Sequence, residues 1–196
     1  MSPAMSIGGI IPAAGISQRL GQDKRQLSYR GASLLEAAVA CLSRGGVTPI
    51  IVVLEPDSPC RYLAGLTHTL HAINPAAERG MLSSIREGLR ILPPAAQAAA
   101  ILPGDHPFVP PAAVAALVQL FCEEQPLLLV PRYAGKRGHP LIVQRPLFAE
   151  AIACDDDVGL RQLLQRRAKD VREVDFDYPG ADDDLDVPAD LLRLGR

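Results

Sequence analysis

The first candidate site is a glycine-containing loop that carries two basic residues. It follows an apolar stretch and reads Ala13-Ala14-Gly15-Ile16-Ser17-Gln18-Arg19-Leu20-Gly21-Gln22-Asp23-Lys24. Small residues let the backbone approach an anion, and backbone N–H groups donate to phosphate oxygens. Arg19 and Lys24 add the positive charge that a triphosphate requires. The loop lacks both the G-K-[ST] of a P-loop and the G-x-G-x-x-G of a dinucleotide fold, and a turn with two solvated bases is the alternative.

Two further segments combine a tight turn with polar side chains. Leu102-Pro103-Gly104-Asp105 ends an apolar run with a carboxylate, which is a ligand that Mg²⁺ accepts while it bridges substrate phosphates. A turn in which Asp105 bonds its own backbone is the alternative. Gly80 leads into a helical pattern whose free N–H groups and serine hydroxyls can bind a polar ligand, although a capped amphipathic helix explains the same pattern.

The pattern A-A-G-x-S-x-R-[ML]-G-x-x-K resembles the signature loop of the MobA-like NTP transferases. In that family the loop wraps the NTP phosphates, so the resemblance implies that Arg19 and Lys24 neutralise charge growing on the β- and γ-phosphates. Leu20 stands where Met is more usual, and Pro12 where Leu is more usual. The resemblance implies nucleotide contacts at Ala13, Ala14, Gly15, Ser17, Asn74, Gly80 and Ser84.

Three later motifs extend the resemblance over nearly the whole chain. Gly104-Asp105-His106-Pro107 is similar to the family's G-D-x-P motif, which implies a metal-binding role for Asp105. Arg137-Gly138-His139-Pro140 resembles the acceptor region, which implies that Arg137 meets an acceptor phosphate and His139 orients it. Asp184-Leu185-Asp186-Val187-Pro188 resembles the closing D-[IL]-D-T-P motif, which implies Asp186 as the second Mg²⁺ ligand, with Asp184 next.

The implied reaction is transfer of CMP from CTP to the phosphate of molybdopterin, with Mg²⁺ as cofactor and pyrophosphate released. The A-A-G, R-G-H-P and D-L-D-x-P segments look more like cytidylyltransferases, whereas the Asp23-Lys24 pair is similar to guanylyltransferase loops with GTP as substrate. A molybdoenzyme or its chaperone is a candidate recipient of the product. The alternatives are a guanylyltransferase or sugar-phosphate nucleotidyltransferase, a non-catalytic molybdenum cofactor-binding or insertion factor, and an NAD(P)H-dependent oxidoreductase.

The elements that must position these residues alternate between strands and helices. Apolar runs predict strands at 7–14, 50–54, 98–103 and 127–130, and further strands are predicted at 67–73, which is more exposed, and at 171–176, which is short. Helical periodicity or a proline start predicts helices at 32–44, 81–92, 111–122, 146–153, 158–167 and from 188 onward. This alternation predicts an α/β fold, a three-layer αβα sandwich with a mostly parallel, Rossmann-like sheet of the nucleotidyltransferase type. We expect one domain over 1–196, with an NTP-binding part at about 7–110, an acceptor part at about 111–196 and a candidate insertion at 133–140.

Composition narrows the class of protein. The 196 residues are 48% hydrophobic with no Trp, and a net charge of −2 argues against nucleic-acid binding by bulk electrostatics. The four cysteines form no C-x-x-C pair, so neither a zinc site nor a redox dithiol is predicted. No run approaches the ~20 apolar residues of a membrane span. We therefore expect a cytoplasmic protein without a membrane segment.

Overall fold

The computed structural model describes residues 6–15, 23–61, 69–106, 108–178 and 181. Within these ranges the strands, in chain order, are β1 (Ile7–Pro12), β2 (Ser28–Tyr29), β3 (Ala32–Ser33), β4 (Ile50–Leu54), β5 (Thr69–Ile73), β6 (Ala98–Ile101), β7 (Leu128–Tyr133), β8 (Lys136–Arg137), β9 (Leu141–Gln144) and β10 (Val171–Phe176). The helices are α1 (Leu34–Arg44), α2 (Met81–Ile91), α3 (Pro111–Glu124), α4 (Phe148–Ile152) and α5 (Arg161–Arg166).

The main sheet has the strand order β10-β7-β9-β6-β1-β4-β5, and β8 pairs with the free part of β7. Neighbouring strands β4 and β5, β1 and β4, β1 and β6, and β7 and β10 are parallel. Strand β9 is antiparallel to both of its neighbours, β6 and β7. The prediction of a mostly parallel sheet is therefore confirmed. Among the described strands in the order given above, β9 is the one that runs in the opposite direction.

Helices cover both faces of this sheet. Residues alternate between the faces along β1: Ile11 belongs to the core formed with α1 and α3, and Ile10 to the core formed with α2 and α4. Both side chains are fully buried. The predicted three-layer αβα sandwich is therefore confirmed.

Local sequence explains how two of the helices are placed. Ser33 and Glu36 form a capping box that begins α1, because each side chain accepts a hydrogen bond from the other residue's backbone N–H. On α2, Gly88 lies so close to β1 that a Cβ would come within 2.6 Å of Ile10. A helix needs such a small residue to approach a strand this closely.

Several predicted boundaries differ from the observed ones. Helix α1 begins at Leu34 and not at residue 32, because residues 32 and 33 pair with β2 in a small hairpin. Residues 133–137, within the candidate insertion, belong to the β7–β8 hairpin of the main sheet. The predicted last helix lies outside the described residues. No helix in the described part of the chain is long and apolar enough to cross a membrane.

Candidate active site

Two of the predicted site residues meet at the carboxyl edge of the sheet. Lys24 lies on a 3₁₀ turn after the loop that follows β1, and Asp105 lies just beyond β6. Since β1 and β6 are parallel neighbours, their carboxyl ends face the same edge, where α/β sheets bind ligands. The Lys24 Nζ atom lies 2.5 Å from Oδ2 of Asp105, and both side chains are about one-fifth exposed, at 21% and 19%.

The surroundings of Asp105 keep its carboxyl group ionised. Burial works to raise the pKa of Asp105, but the charges of Lys24 and His106 outweigh it and hold the pKa below its ordinary value. The carboxylate also accepts a hydrogen bond from its own backbone, so the turn-forming alternative describes part of its role. An ionised carboxylate at neutral pH suits a hard divalent cation, which takes oxygen ligands.

The start of the phosphate loop is fastened to the sheet. The N–H of Ala13 donates to the Val53 carbonyl at 2.9 Å, and its own carbonyl accepts from Arg25 at 2.7 Å. Ala13 thus has both backbone groups engaged inside the protein. Gly15 is exposed, and a Cβ there would meet no atom within 4 Å. The chain therefore leaves the sheet at a fixed point, and no described residue crowds Gly15.

Arg25 is a site residue that sequence reasoning missed. Its guanidinium is 8% exposed and pairs with Asp23 at 2.7 Å and with Glu55 at 2.6 Å. Burial opposes its charge, but the two carboxylates raise the pKa of Arg25 above its ordinary value. An arginine next to the loop lysine resembles one more phosphate ligand in the sequence, and only the fold shows that it faces inward.

The polar side chains at the start of α2 are bonded to one another. The Asn74 side-chain amide donates to the hydroxyls of Ser83 at 2.7 Å and Ser84 at 2.9 Å, and its oxygen accepts from the N–H of Ala76. Asn74 and Ser84 are each 1% exposed. Asn74 and Ser84, which the sequence predicts to contact the nucleotide, therefore stabilise the turn before α2 by bonding within the protein. A direct bond from either residue to a nucleotide stays a prediction.

Gly80 joins that turn to the helix in a conformation that favours glycine. Its φ is 91° and its ψ is −179°, while a Cβ would meet nothing within 4 Å. The requirement for glycine thus comes from the backbone and not from crowding. The space beside Gly80 is open, as it is beside Gly15, which is compatible with the predicted nucleotide contact.

A pair of histidines lies beside Asp105. His106 Nε2 is 3.9 Å from Oδ1 of Asp105, and the His106 and His139 rings are 4.7 Å apart between centroids. Burial lowers the pKa of His139 to about 4, and the charge of His106 acts in the same direction. His139 is therefore neutral at physiological pH. The Nδ1 atoms of both rings are buried and have no hydrogen-bond partner among the residues that the structure describes.

The reversed strand β9 explains why His139 reaches this place. Because β9 is antiparallel to β6, its first residue, Leu141, pairs with the last residue of β6, Ile101. The chain just before β9 thus lies at the carboxyl edge, and the Ile101 carbonyl bonds the His139 ring. The Tyr133 hydroxyl fixes the same segment by donating to the His139 carbonyl at 3.0 Å.

The other predicted residues lie elsewhere or outside the described ranges. Arg137 is about half exposed, and its guanidinium pairs with Glu173 of β10 at 2.6 Å. The structure thus brings Lys24, Asp105 and His139 together and turns Arg137 toward the sheet edge. Ser17, Arg19, Asp184 and Asp186 lie outside the described residues. Among the residues that are described, no group of three or more His, Cys, Asp or Glu forms a metal cluster. Asp105 still fits Mg²⁺, which is held through one or two carboxylates together with substrate phosphates.

Comparison with known proteins identifies the scaffold. Residues 9–171 match the family model of the MobA-like NTP transferase domain. This chain is a member of that family. The resemblance to this family is thereby confirmed over residues 9–171, and NTP transferases are nucleotidyltransferase enzymes.

Several relatives match this MobA-like domain over nearly its full length, and their names describe different activities. A phosphoenolpyruvate guanylyltransferase of Rubrobacter xylanophilus is 30% identical, with 97% of this chain and 94% of the relative covered. The molybdenum cofactor cytidylyltransferase of Escherichia coli is 25% identical over 95% of this chain and 94% of its own. Nicotine blue oxidoreductase of Paenarthrobacter nicotinovorans is 27% identical, covering 96% of each chain.

A solved structure adds a divalent metal to this picture. Rv0371c of Mycobacterium tuberculosis, in complex with manganese, is 27% identical, covers 98% of both chains and superposes with a TM-score of 0.75. A protein of the same fold thus binds a divalent cation. That finding is consistent with a divalent metal requirement in the family.

Proposed function

We propose that this protein transfers a nucleotidyl group from an NTP to the phosphate of a small acceptor, with CTP and molybdopterin as its substrates. The observation that supports this most directly is the 2.5 Å contact between Lys24 and Asp105 at the carboxyl edge of β1 and β6. A cation beside an ionised carboxylate provides a contact for phosphate oxygens and a ligand for a divalent metal in one place.

In this proposal the acceptor phosphate attacks the α-phosphorus, and pyrophosphate leaves in line. The acceptor is already ionised, so no residue has to remove a proton from it. Catalysis consists of holding both substrates and stabilising charge in a partly buried site. Lys24, with Arg19 from the same loop, steadies the leaving pyrophosphate. Neutral His139 orients the acceptor through a hydrogen bond, and Arg137 provides positive charge at its far side.

The proposed metal is Mg²⁺, held by Asp105 and Asp186. When bound there, Mg²⁺ would neutralise negative charge on the substrate phosphates. Asp105 suits this role because a carboxylate offers the oxygen ligands that Mg²⁺ takes, and it lies beside Lys24, where phosphate oxygens would be bound. We propose the same division of the chain as before, with the NTP-binding part before about residue 110 and the acceptor part after it.

Pyrophosphate release tests the proposal. The protein is incubated with Mg²⁺, each of the four NTPs in turn, and molybdopterin. Release with CTP alone is the expected result. Release with another NTP refutes the choice of base, and release of pyrophosphate without any acceptor points to hydrolysis and refutes the transfer. A Lys24→Ala variant measured in parallel excludes a contaminating enzyme.

Guanylyl transfer to a small phosphorylated acid is the second candidate. It is favoured by the 30% identity with the Rubrobacter phosphoenolpyruvate guanylyltransferase and by the Asp23-Lys24 pair in the loop. The same assay with GTP and phosphoenolpyruvate distinguishes it. A loss of NAD(P)H absorbance without any NTP would instead favour an oxidoreductase, and tight binding of cofactor without pyrophosphate release would favour a carrier protein.

A further inference from the structure

We propose that Arg25 is a positioning residue that fixes the two ends of the nucleotide loop and the place of Lys24, without contacting the nucleotide itself. The role rests on the proposed function, because it gives Arg25 a task in NTP binding. It is assigned from the bonds of one buried guanidinium to three separate segments. We name Arg25 with its partners Ala13, Asp23 and Glu55 the Arg25 clamp.

The Arg25 clamp joins the two ends of the loop to each other. At the near end, Nη1 donates to the Ala13 carbonyl at 2.7 Å, where the chain leaves β1. At the far end, Nε and Nη2 donate to the two oxygens of Asp23 at 2.8 and 2.7 Å. One planar group thus holds together the two residues between which the loop runs. Closing a loop in this way removes conformational freedom that a nucleotide would otherwise have to restrict when it binds.

The clamp is also attached to the neighbouring strand. Glu55 follows β4, the parallel neighbour of β1, and accepts from Nη1 and Nη2 at 2.6 and 2.7 Å. The Ser58 side chain bonds Glu55 in turn and helps to lower the pKa of that carboxyl group. The loop is therefore anchored to two strands of the sheet and not only to the strand from which it emerges.

The Arg25 clamp acts on Lys24 through the backbone. Lys24 and Arg25 share a 3₁₀ turn, and the Asp23 carboxylate that binds the guanidinium also accepts from the Arg25 N–H at 3.1 Å. Fixing Arg25 in this way fixes the turn from which Lys24 extends to Asp105. Nε, Nη1 and Nη2 of Arg25 all donate within the protein, so Arg25 orients the site and is not a phosphate ligand.

The geometry requires a guanidinium. Arginine presents five donors in a rigid plane and binds carboxylates through two bonds at once, whereas a lysine ammonium is a single point of charge. Lysine at position 25 would keep the charge but could not serve Ala13, Asp23 and Glu55 in the observed arrangement. Arg25→Lys therefore separates the effect of geometry from the effect of charge.

The test compares Arg25→Lys with a matched control, Arg145→Lys. The Arg145 guanidinium likewise donates to more than one group, the backbone carbonyls of Pro93 and Ala96, but these residues precede β6 and so lie at the opposite edge of the sheet. The dissociation constants of CTP and of GTP, each with MgCl₂, are measured by calorimetry for both variants and the unaltered protein. Hydrogen exchange of the peptide that spans residues 13–25 and the unfolding temperature are measured on the same samples.

We expect Arg25→Lys to weaken binding of the favoured nucleotide on the order of 10- to 100-fold, as a displaced positioning group does, and to speed exchange in the loop. Arg145→Lys should lower the unfolding temperature to a similar extent yet leave both other readouts unchanged. Glu55→Gln, which removes one attachment and keeps the others, should have a smaller effect in the same direction and replaces Arg25→Lys if that variant does not fold.

Two results would overturn the role of Arg25. The first is that Arg25→Lys loses stability but binds nucleotide like the unaltered protein. The second is that hydrogen exchange in the peptide 13–25 is the same in Arg25→Lys as in the unaltered protein. Failure of the proposed function has a different signature, because the unaltered protein would then bind neither CTP nor GTP. Hydrogen exchange of the peptide 13–25 would still show in that case whether the Arg25 clamp restricts the motion of the loop.

Discussion

The two sides of the candidate site differ in how their polar groups are used. On the side of the phosphate loop, Arg25 bonds Ala13, Asp23 and Glu55, and its guanidinium is nearly buried. On the proposed acceptor side, His106 and His139 each have a buried Nδ1 atom to which no described residue forms a hydrogen bond. One side is thus completed by the protein itself, while the other leaves hydrogen-bonding capacity unused.

This difference has an energetic meaning. A buried polar atom without a partner costs roughly 1–3 kcal/mol, and such atoms are rare in folded proteins. Within the described part of the chain two such atoms lie next to Asp105, and a ligand with suitable groups would relieve their cost. The phosphate-loop side offers no such relief through Arg25, so we expect its contribution to be rigidity.

The largest expected effect comes from removing either partner of the Lys24–Asp105 ion pair. Lys24→Ala and Asp105→Ala should each lower kcat/KM for pyrophosphate release on the order of 10³-fold, as loss of one charge-stabilising group does. Both side chains are partly exposed, so the free energy of unfolding should change by no more than about 1–2 kcal/mol. Stopped assays and thermal unfolding measure the two quantities. Turnover that survives in either variant would show that the site has been placed wrongly.

Next in size is the effect of filling the acceptor side with an apolar ring. His139→Phe keeps an aromatic side chain and removes the unpaired Nδ1 together with the bond to Ile101. Loss of one hydrogen bond to the acceptor should raise its KM about tenfold, which corresponds to roughly 1.4 kcal/mol, and leave the KM of the NTP unchanged. Steady-state kinetics with each substrate varied in turn decides this. An equal rise in both KM values would contradict a specific acceptor contact.

Acid should weaken the phosphate-loop side selectively. Burial works against the ionised forms of Asp23 and Glu55, but Arg25 outweighs it and holds their pKa values below the ordinary 3.8 and 4.5. The stabilisation is therefore complete above those ordinary values and is lost as the pH falls through the lower pKa values of the folded state. The difference in unfolding temperature between the unaltered protein and Glu55→Gln should stay constant from about pH 7 down to about 4.5, the ordinary pKa of Glu55, and should shrink over the more acidic range below it. A difference that stays constant over this range would argue against the linkage.

The smallest effect concerns Arg137, whose ion pair with Glu173 is exposed to solvent. Arg137→Ala should cost at most about 1 kcal/mol of stability, as exposed ion pairs do, and should raise the acceptor KM severalfold if Arg137 has the proposed role. Arg172→Ala is a matched control, because that arginine forms a similarly exposed pair with Glu124. The control should lose comparable stability and keep the acceptor KM. Identical kinetics in both variants would remove Arg137 from the site.

The sequence predicts the frame of this site better than its interior. Continuous apolar runs such as 50–54 have only one way to be buried in an α/β protein, so the sheet and the edge that carries Asp105 follow from them. Strand β9 was not predicted, because Leu141–Gln144 is short and no periodicity distinguishes it from a loop. With β9 missing, nothing in the sequence shows that His139 and His106 are neighbours.

Side-chain direction is the second thing that the sequence does not contain. Arg25 and Lys24 are adjacent bases of similar character, yet one faces the interior and the other faces Asp105. Asn74 and Ser84 have the chemistry of ligand contacts but bond each other. Which of two polar partners a side chain chooses depends on contacts between distant segments, and only the folded chain brings those segments together.

The bond between Lys24 and Asp105 carries a consequence for the order in which substrates arrive. If Asp105 is the metal ligand, a free cation has to displace an ammonium group that already occupies the carboxylate at 2.5 Å. When the cation binds together with a triphosphate, a phosphate oxygen can replace the Asp105 carboxylate as the anionic partner of Lys24. Nucleotide and metal should then each raise the affinity of the other by the same factor, as thermodynamic reciprocity demands. Neither would saturate the protein readily alone, and the site would respond to the concentration of the metal–nucleotide complex.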